Sequence, residues 1–332
     1  MNNELLFLVV GLILSALLVR TACSFFPRIG LLDFPQRYGL KRARIPYPGG
    51  IIHWLLAVIF FLFFPELWFL SVALFLLGGV SVWDDRSPIA PSLRGAMHAG
   101  LAAFVFANGI RIGFVGNPFA SGSSINLAEI PLLSFILTVS WIVIIQNALN
   151  WFDGIKGLST GVSGIGFLTL GVFGLIRPEV AWESGLPIFL SANFFFAGVC
   201  LGGFLFFLRG KILLGDTGSQ VLGFLLAVLS IFAGTKIATT LLVLGLPILD
   251  VFFVIVRRIF FEKKSPLSGD TKHLHHNLAR KIGERKAALM LIGLSAVLGM
   301  VGLFLVGVEK LGALLVAIFA IVALSVWAAG DR

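Results

Sequence analysis

Charge is scarce in this chain: 12% of its 332 residues are Asp, Glu, Lys or Arg, against 58% hydrophobic residues that include 33 Phe. That is far more apolar surface than one water-soluble core can bury, so an ordinary soluble domain is excluded. Cysteine is scarcer still. Cys23 and Cys200 both lie in or beside apolar runs, which leaves neither a disulfide framework nor a zinc-ligand spacing. The first apolar run, in MNNELLFLVVGLILSALLVR, has no Lys or Arg ahead of it and no small-residue cleavage pattern behind it. It therefore reads as a retained helix and not as a cleaved secretory signal.

What the chain has in quantity is long apolar runs, matched to the roughly 30 Å hydrocarbon thickness of a bilayer. About eleven spans are predicted, near 4–25, 50–64, 67–82, 95–115, 129–149, 159–176, 186–208, 217–233, 238–256, 287–307 and 311–328. The expected fold is an all-α, polytopic integral membrane protein forming one transmembrane domain over 1–332. Its cationic residues are sorted. Of the 25 Lys and Arg, all but Arg111, Arg177, Lys236 and Lys310 fall on one side, in Arg20, Arg332 and loops near 27–50, 83–94, 146–158, 209–219 and 257–286. The crowded side is assigned to the cytoplasm, with the N-terminus outside and the C-terminus inside. The net charge of +9 is then mostly topological and does not imply nucleic acid.

Positive-inside sorting is nearly indifferent to acids, yet every aspartate (Asp33, Asp84, Asp85, Asp153, Asp216, Asp250, Asp270 and Asp331) lies at or toward the cytoplasmic side. Three segments carry them at helix ends: GGVSVWDDRSPIAPSLR with Asp84 and Asp85, QNALNWFDGIKGLSTG with Asn147, Asn150 and Asp153, and KILLGDTGSQVLG with Asp216. Each has a bland reading. The paired Asp can be solvated, the two Asn can satisfy each other or nearby backbone, and Asp216, Thr217 or Ser219 can cap the helix they open. Together on one face, carboxylates, amide carbonyls and a helix N-terminus suit Mg²⁺ and phosphate oxygens.

Two further segments complete a pattern. The first inner loop reads LLDFPQRYGLKRARIPYPGG, and Pro247, Asp250, Arg257 and Arg258 precede HLHHNL, with His273, His275 and His276. In this order the segments resemble the polyprenyl-phosphate N-acetylhexosamine-1-phosphate transferases, of glycosyltransferase 4 type. The likeness is to the branch that starts O-antigen, common-antigen and teichoic-acid chains, whose His-Leu-His-His-Arg-Leu is close to HLHHNL. The phospho-MurNAc-pentapeptide transferase of peptidoglycan synthesis, with its Leu-His-His-His, fits less well.

The resemblance implies transfer of an N-acetylamino-sugar 1-phosphate from a UDP-sugar to undecaprenyl phosphate at the cytoplasmic face of a bacterial inner membrane, releasing UMP, with Mg²⁺ as cofactor. It implies Asp216 as the metal ligand, and Asp84 and Asp85 on the lipid-phosphate side, as proton acceptor or as support for the metal. Asn147, Asn150 and Asp153 go to the nucleotide pocket, with Gly154 letting backbone approach closely. His273, His275 and His276 go to the sugar nucleotide or its phosphates. Direct attack and a covalent Asp intermediate both stay open, as do monomer and homodimer.

This chain departs from the family pattern at Pro88, where a third Asp is usual, at Lys156, where the family commonly has Asp, and in FFLRGKILLGD, which lacks an Asn and a Pro-Ala. A metal site on the histidines is disfavoured, because on a regular helix His275 points about 200° away from His273. Asp250 has Arg257 on its own helical face as a candidate partner, and a structural ion pair and a role beneath the active site both stay open. His53 and His98 read as structural, and Arg280 and Lys281 as topological. A secondary transporter or lipid carrier is the rival class, but it would show internal repeats and polar groups near the midplane, and no repeat is visible. A non-catalytic relative is a smaller alternative.

Overall fold

The computed structural model describes residues 2–38, 42–116, 124–178, 186–232, 237–263 and 273–330. In chain order its helices are α1 (Asn2–Phe25), α2 (Gly50–Leu62), α3 (Trp68–Arg86), α4 (Pro91–Ala107), α5 (Pro131–Phe152), α6 (Leu158–Ile176) and α7 (Leu186–Leu208). They continue with α8 (Gly215–Phe232), α9 (Ile237–Val243), α10 (Gly245–Val256), α11 (Leu274–Ile282), α12 (Glu284–Phe304) and α13 (Gly307–Ala329). A small antiparallel hairpin, β1 (Phe114–Gly116) and β2 (Ser124–Asn126), joins α4 to α5. The chain is an all-α polytopic membrane protein in its architecture.

Among the described residues eight helices are long and apolar enough to cross a bilayer, or nine if the bent pair α9–α10 is one span. Each of the eleven expected stretches contains helix, but α2 has 13 residues and α4 has 17. The stretch near 95–115 stops at Ala107. Asn108 bonds back through Nδ2 to the Phe104 carbonyl at 2.8 Å, and Gly109 takes a left-handed φ of 98°. Ile110, Phe114 and Val115 prolong the apolar run in sequence but belong to the turn and hairpin. The stretch near 238–256 bends by 78° at Leu244. Gly245 and Pro247 follow at once, and a proline, lacking an amide hydrogen, is tolerated in the first turn of a new helix but not inside a continuing one.

Helix α8 is the centre of the bundle, 83% buried, and α13 is the least enclosed of the long apolar helices, 11% buried. Around α8 stand α2, α3, α5 and α6. Helix α1 packs along α7 through small residues. A Cβ on Gly198 would sit 2.1 Å from the Leu8 carbonyl oxygen, one on Gly202 2.2 Å from that of Leu12, and one on Gly11 2.2 Å from that of Phe195. Between helices in lipid there is little hydrophobic drive, so backbone-to-backbone approach of this kind supplies the association.

This contact yields a simple expectation. Gly202→Leu overpacks the α1–α7 seam and lowers stability by about 1–3 kcal/mol. Gly100→Ala, on an exposed part of α4 with nothing within 4 Å of the new methyl, leaves stability unchanged or slightly raised, by up to about 1 kcal/mol. Thermal unfolding of the two variants in one detergent checks the difference.

Candidate active site

The site is assembled around the amino end of α8. Gly215 takes a left-handed φ of 81° and turns the chain into that helix. The strand-like residues before it are pinned to the start of α2: Leu213 donates to the Pro46 carbonyl at 3.0 Å, Gly49 to Leu213 at 2.7 Å and Gly50 to Leu214 at 2.8 Å. A Cβ on Gly50 would lie 2.1 Å from the Gly218 nitrogen, so the two helices meet with no side chain between them.

Asp85, at the end of α3, supplies the cap that α8 needs. Its Oδ1 accepts from the Asp216 amide at 2.8 Å, and its Oδ2 accepts from the Thr217 amide at 3.0 Å and from the Thr217 hydroxyl at 2.5 Å. The Tyr47 hydroxyl donates to Oδ1 as well. The carboxylate thus satisfies two otherwise orphaned helix amides and meets the positive end of the helix dipole. Neither Asp216, Thr217 nor Ser219 caps α8; a residue from α3 does. Asp84 is equally engaged: Oδ1 accepts from the Ile89 amide at 2.7 Å, and Oδ2 pairs with Arg94 Nη1 at 2.6 Å. Adjacent carboxylates at a helix C-terminus gain nothing from their own helix, and here each is turned onto a donor outside it.

Asp216 differs from both. Its side chain is 37% exposed, and its Oδ2 has Arg94 Nη1 at 3.2 Å. Arg94 therefore stands between Asp84 and Asp216. In the sequence it is one topological cation among many; its place between two carboxylates comes from the turn at Pro88 and the start of α4.

The end of α5 closes the other side. Asn150 donates from Nδ2 to Ser219 Oγ at 3.0 Å, which ties α5 to the first turn of α8. Asn147 bonds its own helix, from Nδ2 to the Val143 carbonyl at 2.8 Å, so the two Asn do not satisfy each other. Asp153, just past α5, is half-buried. Burial and then the negative charge of Asp216 push its carboxyl well above the usual range, and Ser159 and the Gly215 backbone offset this only in part. Lys156 points elsewhere, to Glu284 at the start of α12, with Nζ at 2.9 Å and its amide at 3.0 Å from the two carboxylate oxygens.

The histidines depart most from expectation. His273 precedes α11 in an extended conformation, φ −65° and ψ 151°, so the helical-wheel separation from His275 does not apply. The two rings stack, with centroids 5.3 Å apart and planes 21° apart. Both turn Nδ1 toward Asp250 Oδ2, at 2.8 Å from His273 and 3.5 Å from His275. Asp250 is therefore partnered by His273 and by the Leu274 amide at 2.8 Å, and not by Arg257, which pairs with Glu262 at 3.4 Å.

The ligand atoms of Asp250, His273 and His275 lie within 4.8 Å of one another, so geometry alone does not exclude a metal. However, tetrahedral zinc ligands stand roughly 3.3 Å apart, whereas the 2.8 Å Nδ1···Oδ2 contact has the length of a hydrogen bond. Leu274 takes the other oxygen.

His275 is fully buried and His273 is 5% exposed, while His276 is half-buried. A Cβ on Gly154 would fall 2.1 Å from His275 Nε2 and 2.7 Å from His276 Cε1. The groups that press on Gly154 are imidazoles. Burial, helped by the neighbouring imidazoles, brings His276 down to about 4, so it is neutral at pH 7. All ten predicted site residues are described, and the loops near 83–94, 146–158 and 209–219 come together at one end of the bundle with the described parts of 27–50 and 257–286. Asp270 lies outside the described residues.

The family described as glycosyl transferase family 4 matches residues 67–234. The chain is 29% identical to a probable undecaprenyl-phosphate N-acetylglucosaminyl 1-phosphate transferase of Bacillus subtilis, over 92% of this chain and 84% of that one. It is 30% identical to the undecaprenyl-phosphate alpha-N-acetylglucosaminyl 1-phosphate transferase of Thermotoga maritima, over 88% and 87%. A phospho-N-acetylmuramoyl-pentapeptide-transferase of Chlorobium phaeobacteroides is 26% identical over 73% and 74%.

The carboxylates are expected to separate by stability. Asp85→Ala leaves buried donors without an acceptor and costs about 2–3 kcal/mol. Asp216→Asn removes one of several neighbouring negative charges at an open position and changes stability by less than about 0.5 kcal/mol. Denaturation midpoints of the two purified variants check this.

Proposed function

The chain belongs to glycosyl transferase family 4, and on that premise we propose that it transfers an N-acetylamino-sugar 1-phosphate from a UDP-sugar, such as UDP-N-acetylglucosamine, to undecaprenyl phosphate. The products are undecaprenyl-pyrophosphate-sugar and UMP, and the reaction starts a cell-envelope polysaccharide. The observation that carries this reading is the meeting of Asp216, Asp153, Asn150, Arg94 and His276 at one end of the bundle, from segments far apart in the chain. A transporter would gather such groups near the midplane.

The proposed topology counts α2, α4 and the bent α9–α10 pair as crossings, which gives the eleven spans expected from the sequence. The N-terminus is then on the far side of the membrane from the site and the C-terminus on the same side. Lys281 Nζ bonding the Trp327 carbonyl at 3.0 Å supports the latter, since it ties the end of α13 to α11. The excess of Lys and Arg on the site's side supports a cytoplasmic placement, which in this reading is the cytoplasmic face of a bacterial inner membrane, where UDP-sugars are found.

Chemically, an oxygen of the lipid phosphate attacks the phosphorus bonded to the sugar, the bond from that phosphorus to the UMP oxygen breaks, and UMP departs. A phosphate monoester with a second pKa near 6 is mostly a dianion at neutral pH, so it needs little help from a base. The obstacle is the approach of two anions. Mg²⁺ would supply charge neutralisation at the transferring phosphate oxygens. The donor set fits that ion: Asp216 is open to solvent, and its charge and that of Asp153 disfavour each other without a cation between them. Asp216 would hold it, with Asp153 beside it. Arg94 adds fixed positive charge, Asn150 holds the first turn of α8 in register, and His276 meets the donor from the open side of α11. Asp84 and Asp85 act by holding Arg94 and α8.

The test is UMP release by purified protein, in detergent and in bilayers, with undecaprenyl phosphate and a panel of UDP-N-acetylamino sugars. Release is expected to require both the lipid and Mg²⁺. Asp216→Asn lowers turnover by about a hundredfold or more, and His276→Ala raises the donor KM by about tenfold. No release with any donor contradicts the reading.

A further inference from the structure

Asp250 is 3% exposed on α10, within a bent membrane segment where carboxylates are rare and usually functional or paired. Among the described residues, both of its oxygens are engaged by the segment that opens α11. Oδ1 accepts from the Leu274 amide at 2.8 Å and Oδ2 meets His273 Nδ1 at 2.8 Å. This is a helix cap delivered from another element, as Asp85 is for α8. His275 is held behind it, its Nδ1 3.5 Å from the same oxygen and its ring edge-on to Phe152 at 5.3 Å. Its other nitrogen fills the space that a side chain on Gly154 would take. His273 in turn lies against Trp151, ring centroids 6.2 Å apart, and the Arg258 guanidinium sits 5.6 Å from that indole.

Two of the three histidines are thus enclosed by protein on every side. His276 is the half-open one, its ring 4.3 Å from that of His275 and its edge beside Gly154. An imidazole whose Nδ1–H is bound by a carboxylate is fixed in tautomer and orientation, and acts as a rigid spacer.

We propose that Asp250 is a positioning residue for the donor site: through His273 and His275 it seats the first turn of α11 against Gly154, and so presents His276 as the histidine that meets a donor phosphate. This rests on the reading that a UDP-sugar binds beside Asp153 and Gly154. It divides the HLHH segment into a buried brace and one exposed contact, in place of three equivalent ligands.

The first experiment does not depend on turnover. The full-length protein in detergent is treated with diethyl pyrocarbonate, an imidazole-acylating reagent, and each histidine is followed by mass spectrometry. His276 is expected to react at least about tenfold faster than His273 and His275, and Asp250→Asn to bring the three within about threefold of one another. Equal rates in the unsubstituted protein overturn the brace.

The second experiment is kinetic. Asp250→Asn is expected to raise the donor KM by about tenfold, more than it lowers kcat, and to add little to His276→Ala in the double variant. His273→Gln, which keeps the Asp250–Leu274 cap, shifts KM in the same direction and serves if Asp250→Asn fails to fold. Unchanged KM in a folded variant, or additive losses with His276→Ala, overturns the positioning role and leaves the transferase reading standing. Absence of UMP release from the unsubstituted protein with every donor sinks that reading instead, and the acylation pattern still decides whether the brace exists.

Discussion

The carboxylate of Asp85 on the first turn of α8 is the interaction on which the site depends. Helix α8 is the most enclosed element of the bundle, and a buried helix start with unsatisfied amides is costly. Asp85 removes that cost with bonds to Asp216 and Thr217 across 131 and 132 positions of sequence. In doing so it fixes the direction in which the Asp216 side chain leaves the helix. The pairing of residues 46–50 with 213–214, the contact of Gly50 with Gly218 and the Asn150–Ser219 bond hold the same turn from its other sides.

The acids fall into two groups by their surroundings. Asp84, Asp85 and Asp250 each have close donors for both oxygens and are buried. Asp216 and Asp153 are more open, and their negative charges are not fully matched by the donors around them. Carboxylates whose ionised forms are left in that condition at one end of a membrane bundle suit a hard divalent cation and the phosphates that accompany it. The same division runs through the histidines, where His273 and His275 are enclosed and His276 is not.

Much of this was legible in the sequence. Polar, Gly-rich segments interrupting apolar runs mark helix ends, and the sorting of Lys and Arg puts those ends on one side, so Asp84, Asp85, Asn150, Asp153 and Asp216 could be named together. What could not be read was which of them holds which. Capping of α8 by Asp85 and the double contact of Arg94 are long-range, and no local pattern encodes them. Helical periodicity misled where the chain is not helical: His273 lies ahead of α11, and Asp250 finds its partner on a returning segment and not on its own face. Apolar composition likewise carried the fourth span past Asn108 and Gly109, which end the helix, and ran 238–256 as one span across the bend at Leu244 that splits α9 from α10.

Thr217 offers the most direct measurement. It is fully buried and its hydroxyl has Asp85 as its partner, so Thr217→Val keeps the shape, touches no substrate and weakens the cap alone. UMP release is expected to fall by about tenfold in Thr217→Val, with little added when Asp85→Asn is combined with it. Full turnover by Thr217→Val beside an inactive Asp85→Asn would mean that Asp85 acts on the substrate itself and not through α8.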